Sequence, residues 1–261
     1  MEIEYGTNPR THHLEYHDGS KVLLDFDPKK HYYTVEGKYA PSVTTILDSI
    51  AKPALVPWAA NEGAKYYVQN YQKTLGKDPS MRPEELAKGI RTAYRSSSGK
   101  AITVGMEVHR WCEEAILCKL GRGPVPLDVT GTEAKNSVKA FRDWVKENDV
   151  EWHSVEQKLY HRGHKFAGTV DATATVNEEY CVIDFKTSKA IYAPYHLQCA
   201  AYAKAIEDMT GKEVEKAYVL RFDKNTGEFE AQSSVEILEN FVAFLGFLEG
   251  YNRLKELENR K

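Results

Sequence analysis

The stretch from Gly168 to Lys186 constrains what this chain can fold into more than any other. Thr and Val dominate residues 169–176, Val182-Ile183 leads into Asp184, and Asn177-Glu178-Glu179 separates the two runs. β-Branched runs flanking a short polar break predict a β-hairpin. A turn centred on Asn177-Glu178 pairs Val176 with Glu179, and the same register sets Asp171 opposite Asp184. Opposed side chains on one face of an antiparallel pair lie about 5 Å apart at Cβ. Alternation then puts Lys186 on the face of Asp184 and turns Phe185 to the other.

Two carboxylates and an ammonium thereby converge on one patch of a largely apolar hairpin. Like charges directly opposed are destabilising unless a cation lies between them. Mg²⁺ takes one or two carboxylates and completes its shell with water and phosphate oxygens. A lysine beside such an ion orients or deprotonates an attacking water, or stabilises charge developing at phosphorus. A lone Asp-x-Lys is a common tripeptide and carries little meaning. The spaced Asp171 and the apolar run before Asp184 are what give it weight.

Gly168-Thr169-Val170-Asp171, followed by Ile183-Asp184-Phe185-Lys186-Thr187-Ser188, resembles the core of the PD-(D/E)XK nuclease superfamily. Within it the resemblance is to the RecB-type exonuclease branch, which includes the mitochondrial genome maintenance exonucleases and phage relatives. Gly105, His109 and Glu113 are four residues apart on a helix expected over 102–119, and so stack along one face. They resemble the first motif of that branch, whose His joins the two Asp residues at the metal; Glu114, adjacent to Glu113, competes for the inward position. Gln198 and Tyr202, one helical turn apart, resemble its last motif, which contacts DNA and helps hold the active lysine. Ser42-Val43-Thr44 is similar to a signature near the start of the mitochondrial-type enzymes, and Leu55-Val56-Pro57-Trp58-Ala59-Ala60 to the segment after it. Read from the residues alone, Ser42 is the N-cap of a short helix. Glu156 lies on a strand expected over 150–160 and points either toward the site or to solvent.

The resemblance implies an α/β fold: a central mixed β-sheet flanked by helices, a restriction-endonuclease-like core. Residues 1–100 would form an N-terminal hairpin and a helical substrate clamp, with the stretch 53–100 over the site, and residues 101–261 the nuclease core. It implies a metal-dependent exonuclease hydrolysing phosphodiester bonds of single-stranded or end-bearing DNA, in DNA repair, recombination or replication. His109, Asp171 and Asp184 would hold Mg²⁺ or Mn²⁺, Lys186 would act on the water or the transition state, and Gln198 and Tyr202 would bind substrate. Glu113, Glu156, Ser42 and Thr44 are possible supporting residues. A structure-specific endonuclease of the same superfamily and a non-catalytic nucleic-acid-binding module on the same fold are the alternatives. Some relatives hold an iron–sulfur cluster through one early and three late cysteines. Cys112, Cys118, Cys181 and Cys199 do not follow that pattern, so buried thiols and no cluster are expected.

With 261 residues, 42% hydrophobic and 28% charged, the chain can bury one substantial core, or a core plus an inserted helical subdomain. No apolar run approaches a membrane span and no secretory pattern opens the chain, so no membrane association is expected. The cysteines form no Cys-x-x-Cys pair, which fits a reducing compartment, the cytoplasm of a bacterium or phage-infected host cell. A net charge of −3 does not announce a nucleic-acid binder. Arg82, Lys88, Arg91, Arg95 and Lys100 nevertheless make one stretch locally basic, either a solvated face or a phosphate-contacting surface.

Other expected elements are a hairpin over 22–26 and 32–35, helices over 58–71, 83–94, 132–147 and 235–257, and strands over 214–222 and 229–231. Breaks are expected at Gly76-Lys77-Asp78-Pro79-Ser80 and at Ser96-Ser97-Ser98-Gly99, and a turn at Asn225-Thr226-Gly227. The basic turn His161-Arg162-Gly163-His164-Lys165 is placed to touch a phosphate.

Overall fold

The computed structural model describes residues 10–49, 55–75, 80–223 and 228–260, and over 96–104 the backbone alone. Strands β1 (Arg10–Glu15), β2 (Lys21–Asp27), β3 (Tyr32–Val35) and β4 (Lys38–Ala40) form an antiparallel meander in that order. The pattern of β2 and β3 is visible in the sequence; β1 is too polar and β4 too short to announce themselves. Glu36 and Gly37, with φ of 48° and 74°, make the two-residue turn between β3 and β4. Helix α1 (Val43–Leu47) follows, capped by Ser42, whose Oγ accepts the Thr45 N–H at 3.0 Å.

Helix α2 (Leu55–Asn70) runs into a 3-10 turn (Tyr71–Thr74), and α3 (Pro83–Lys119) is one unbroken helix. The expected break at Ser96-Ser97-Ser98-Gly99 does not occur. Three serines and a glycine weaken a helix by only about 0.5–1 kcal/mol each, and a long flanking helix overrides that. The expected break at residues 76–79 and the turn at Asn225-Thr226-Gly227 fall outside the described residues.

Helix α4 (Thr132–Glu147) leads to β5 (Val150–His161), β6 (Phe166–Val176) and β7 (Glu179–Lys186). Helix α5 (Ala193–Thr210) crosses over to β8 (Lys216–Phe222), then come β9 (Phe229–Ser234) and α6 (Ile237–Glu258). Strands β5 to β9 form a mixed sheet in chain order, parallel only between β7 and β8. The α/β architecture with a central mixed sheet is therefore present. The β6–β7 turn is the one read from the residues: Val176 pairs with Glu179, and Asn177 and Glu178 have φ of 49° and 73°.

Apolar residues from the two faces of this sheet feed two cores. One joins Leu159, Val170 and Val182 to α1, α5, α6 and the meander. The other joins Ala172, Ala174, Ile183, Phe185 and Phe222 to Val108, Trp111 and Ile116 of α3 and to Val138, Phe141 and Trp144 of α4. Phe141 meets Phe185 edge-on at 5.6 Å between centroids, an arrangement worth about 0.5–1.5 kcal/mol beyond the area buried.

The chain forms two compact units, Met1–Ile50 with Val108–Lys261, and Ala51–Glu107. Where the sequence suggested a single boundary at residue 100, the meander belongs with the mixed sheet and the helical unit is an insertion. Inside that unit α2 and α3 pack at small residues: a Cβ on Gly89 would lie 2.2 Å from the Tyr66 ring. Trp58 meets Tyr94 edge-on at 6.3 Å, and Tyr67 stacks on Tyr71 at 5.3 Å. Among the described residues no helix is long and apolar enough to cross a membrane.

Candidate active site

The mixed sheet loses its regularity at Asp171. Pairing between β5 and β6 passes from Val155 with Ala172 to Gln157 with Val170 and omits the pair between, where Glu156 has φ 49°. A glutamate holds that left-handed conformation only where its surroundings dictate it. On the other side of β6, pairing with β7 ends at Ala172 with Ile183. Val170 packs into one core and Ala172 into the other, so the strand's alternation is interrupted between them. The register read from the sequence holds up to the pair before the two aspartates. There the strands part, and Asp171 Oδ2 accepts the Phe185 N–H at 2.7 Å. A side-chain carboxylate stands in for a strand carbonyl, satisfying a donor that would otherwise be orphaned.

Asp184, on β7, is 1% exposed. Its Oδ1 accepts a hydrogen bond from Gln198 Nε2 at 3.1 Å. Its Oδ2 faces Lys186 Nζ at 2.5 Å; the contact is an ion pair, and that oxygen accepts no hydrogen bond of good geometry. Burial pushes the Asp184 carboxyl up to about 6, with Lys186 pulling it down and Asp171 adding to the rise. Burial works against the Lys186 ammonium, but Asp184 and Asp171 together outweigh it and leave its pKa raised. The Tyr195 ring lies 5.0 Å from Lys186 Nζ, adding a cation–π contact.

His109, on α3, places Nδ1 3.9 Å from Asp171 Oδ2 and sets its ring edge-on to Phe185. Glu113 and Glu114 differ in their neighbours. Glu114 pairs with Arg110 one turn back, at 3.9 Å, whereas Glu113 is near enough to act on Glu156. Withdrawal from water pushes the Glu156 carboxyl up to about 7; Asp171, Glu113 and Asp184 add to the rise and Lys158, at 3.8 Å, opposes it. Since 41% of that side chain still meets solvent, the neighbouring carboxylates are the firmer cause. His109 and Asp171 thus meet where the sheet opens, and Asp184, Glu113 and Glu156 lie near enough for their charges to interact.

Gln198 and Tyr202 lie on α5, 7% and 3% exposed. Gln198 Nε2 donates to Asp184 Oδ1 and to Tyr202 Oη at 3.0 Å. Their polar atoms are thus turned inward on Asp184. Ser42 and Thr44 are brought beside β6 by the bridge of Ser42 to Ala167. Their bonds go to each other, to Thr45 and to His31, whose Nε2 is 3.2 Å from Thr44 Oγ1. The geometry makes Ser42 a cap and Thr44 a partner of His31.

In the basic turn after β5, Arg162 is committed elsewhere. Arg162 donates to both Asp208 oxygens and to Asp18 at 2.7 Å, and lies over the Tyr16 ring. It ties the meander to α5 and leaves no fork for a phosphate. Sequence reading missed Arg221, whose side chain is 4% exposed on β8. It pairs with Glu230 at 2.9 Å and donates to the Ser188 and Lys189 carbonyls at 3.3 Å, pinning the loop after Lys186. An arginine inside Val219-Leu220-Arg221-Phe222 was the available signal. All four cysteines are free thiols; Cys112, Cys181 and Cys199 are buried and Cys118 is half-buried.

Among the described residues no group of three His, Cys, Asp or Glu side chains is disposed to hold a metal ion as it stands. The chemistry of the donor set still suits a hard divalent cation, which asks for only one or two carboxylates. Asp184 Oδ2 is a buried anionic oxygen whose charge is met by Lys186 Nζ, and Asp171 carries a second carboxylate on the neighbouring strand.

Fold and site together describe an α/β protein with paired aspartates and a lysine at the split of its mixed sheet. Comparison with solved structures pairs the chain with SSO0001, at 16% identity over 57% of this chain and 71% of that one (TM-score 0.30). It also pairs it with LHK-Exo in complex with dAMP, at 16% identity over 56% and 83% (TM-score 0.23). A third is the alkaline exonuclease LHK-Exo from Laribacter hongkongensis, at 13% identity over 76% and 98% (TM-score 0.24). No protein-family model and no curated protein matches the chain. With TM-scores this low, function has to be read from the side chains.

Proposed function

We propose that the protein is a metal-dependent deoxyribonuclease, an exonuclease that hydrolyses phosphodiester bonds from the ends of single-stranded DNA. The observation that carries this reading is the close Asp184–Lys186 contact beside Asp171, at the point where β6 and β7 separate. Asp171 and Asp184 would hold Mg²⁺ or Mn²⁺, with His109 beside Asp171. When bound, such an ion lowers the pKa of a water and offsets phosphate charge. Lys186, held as an ammonium by Asp184, supplies positive charge where the phosphorane develops. Asp171 keeps its place through the Phe185 N–H, so its second oxygen is free to turn to the ion. Exposed Lys88, Arg91 and Arg95, three and four residues apart on α3, offer a sequence-tolerant face for phosphates.

The test is incubation with end-labelled linear and closed circular single-stranded DNA in Mg²⁺ and in Mn²⁺. Degradation of the linear form with survival of the circle is expected. Rapid cutting of the circle replaces the exonuclease with an endonuclease. Binding without cleavage of either form, in either metal, leaves a nucleic-acid-binding module and overturns the enzymatic reading.

A further inference from the structure

Asp184 is buried, and a buried carboxylate is costly unless its oxygens are matched. Its Oδ1 is matched by Gln198 alone, through one Nε2 proton; the other Nε2 proton goes to Tyr202 Oη. Because a carboxylate only accepts, Asp184 decides that the amide nitrogen, not the amide oxygen, faces it. The Tyr202 hydroxyl takes the second proton and so holds that nitrogen in place.

What fixes the tyrosine is an empty space on β6. A Cβ built on Gly168 would stand 2.7 Å from Tyr202 Cε1 and 3.4 Å from Cδ1, with Val43 Cγ2 at 3.6 Å behind it. Contacts below 3.0 Å force something to move, and here the obstacle is a rigid ring that is 3% exposed, not the end of a mobile chain. The ring edge nearest Gly168 is the edge adjoining the hydroxyl. Any side chain at 168 would swing Oη away from Gln198.

We infer that Gly168 and Tyr202 are positioning residues for Asp184: the missing side chain admits the ring, the ring's hydroxyl anchors the Gln198 amide, and the amide holds the carboxylate. This deepens the proposed nuclease reading and assigns Tyr202 an inward task in place of contact with DNA. Gly168→Ala is expected to lower kcat by about ten- to a hundredfold, the worth of a hydrogen bond to a charged acceptor, with KM unchanged. Tyr202→Leu should lose a similar factor. The double variant Gly168→Ala/Tyr202→Leu should be no worse than Tyr202→Leu, since the obstacle is gone and the two act through one contact.

Losses that multiply in the double variant, or wild-type turnover in Gly168→Ala, overturn the inference. A second readout needs no activity. The Gln198 side-chain amide protons, followed by NMR hydrogen exchange without metal, should be protected in the wild type and exchange faster in Gly168→Ala; unchanged protection also overturns it. If Gly168→Ala does not fold while the double variant does, the steric account stands, and failure of both to fold counts against it. A wild type without nuclease activity sinks the enzymatic reading, while the amide exchange still decides the geometry.

Discussion

The Asp171 carboxylate takes the Phe185 N–H at 2.7 Å, at the point where β6 and β7 cease to pair. One side chain thus has two tasks, closing a gap in the sheet and presenting charge. Asp171→Asn keeps an acceptor for that N–H and should unfold close to the wild type while losing DNA hydrolysis. Asp171→Ala should lose hydrolysis and, in addition, about 1–3 kcal/mol of stability by leaving a buried donor unmet. Urea unfolding of the two variants separates the tasks; equal stability in both would show that the Phe185 bond contributes nothing.

Asp184 and Lys186 form a pair that is stable only as a pair. Lys186→Met should destabilise the fold by about 3–5 kcal/mol near neutral pH, because it leaves a buried carboxylate uncompensated. Adding Asp184→Asn to it should recover most of that loss. Neither single variant should cleave DNA. Full cleavage by purified Asp184→Asn would remove Asp184 from the reaction.

Imidazole suits transition metals better than Mg²⁺. With His109 Nδ1 3.9 Å from Asp171, the wild type should work at least as well in Mn²⁺ as in Mg²⁺. His109→Ala should weaken metal-dependent cleavage by about tenfold or more. Titrating activity against each metal decides it: identical metal dependence with and without the imidazole would make His109 a packing residue against Phe185.

The Glu156 and Asp184 carboxyls are raised to about 7 and about 6, from ordinary values of 4.5 and 3.8. A group that binds its proton more tightly when folded contributes stability that is complete below the unfolded pKa. That contribution is lost as pH rises through the folded one. The melting temperature of the metal-free protein should therefore contain a component that falls between about pH 4 and pH 7. Glu156→Gln should flatten its upper part, by a few degrees at most given the exposure of that side chain. Mg²⁺ or Mn²⁺ should raise the melting temperature more at pH 8 than at pH 5. An unchanged slope in Glu156→Gln would place the proton elsewhere.

Arg221→Lys keeps a charge but loses the fork that reaches Glu230 and the two loop carbonyls. It should leave the fold intact, lower DNA cleavage several-fold, and make the bond after Lys189 a preferred site for trypsin. Wild-type resistance at Lys189 would mean that the loop holds itself.

Much of the fold was legible because its strands are β-branched and its turns are punctuated. The register of β6 on β7 followed from Asn177-Glu178 alone, and α4 from Val138, Phe141, Trp144 and Val145. The meander's first strand was hidden because His12 and His13 carry no apolar alternation. The unity of α3 was hidden because Ser96 to Gly99 looks like a break, and local propensity says nothing of what flanks it. At the candidate site the residue types and their faces were readable, but their partners were not. No periodicity reveals that Gln198 turns to Asp184, that Glu114 turns to Arg110, or that Arg162 is already bound by Asp208.

The contacts that define the Asp184 environment span very little sequence. Asp171 to Phe185 and Gln198 to Asp184 are each fourteen residues apart, and Gln198 to Tyr202 four. Loop closure over such distances costs little entropy, and rates of assembly track sequence separation. One hairpin and the helix that follows it therefore carry the aspartates, the lysine and their supports as a single inheritable cassette. His109 and the meander, by contrast, must be recruited from far upstream.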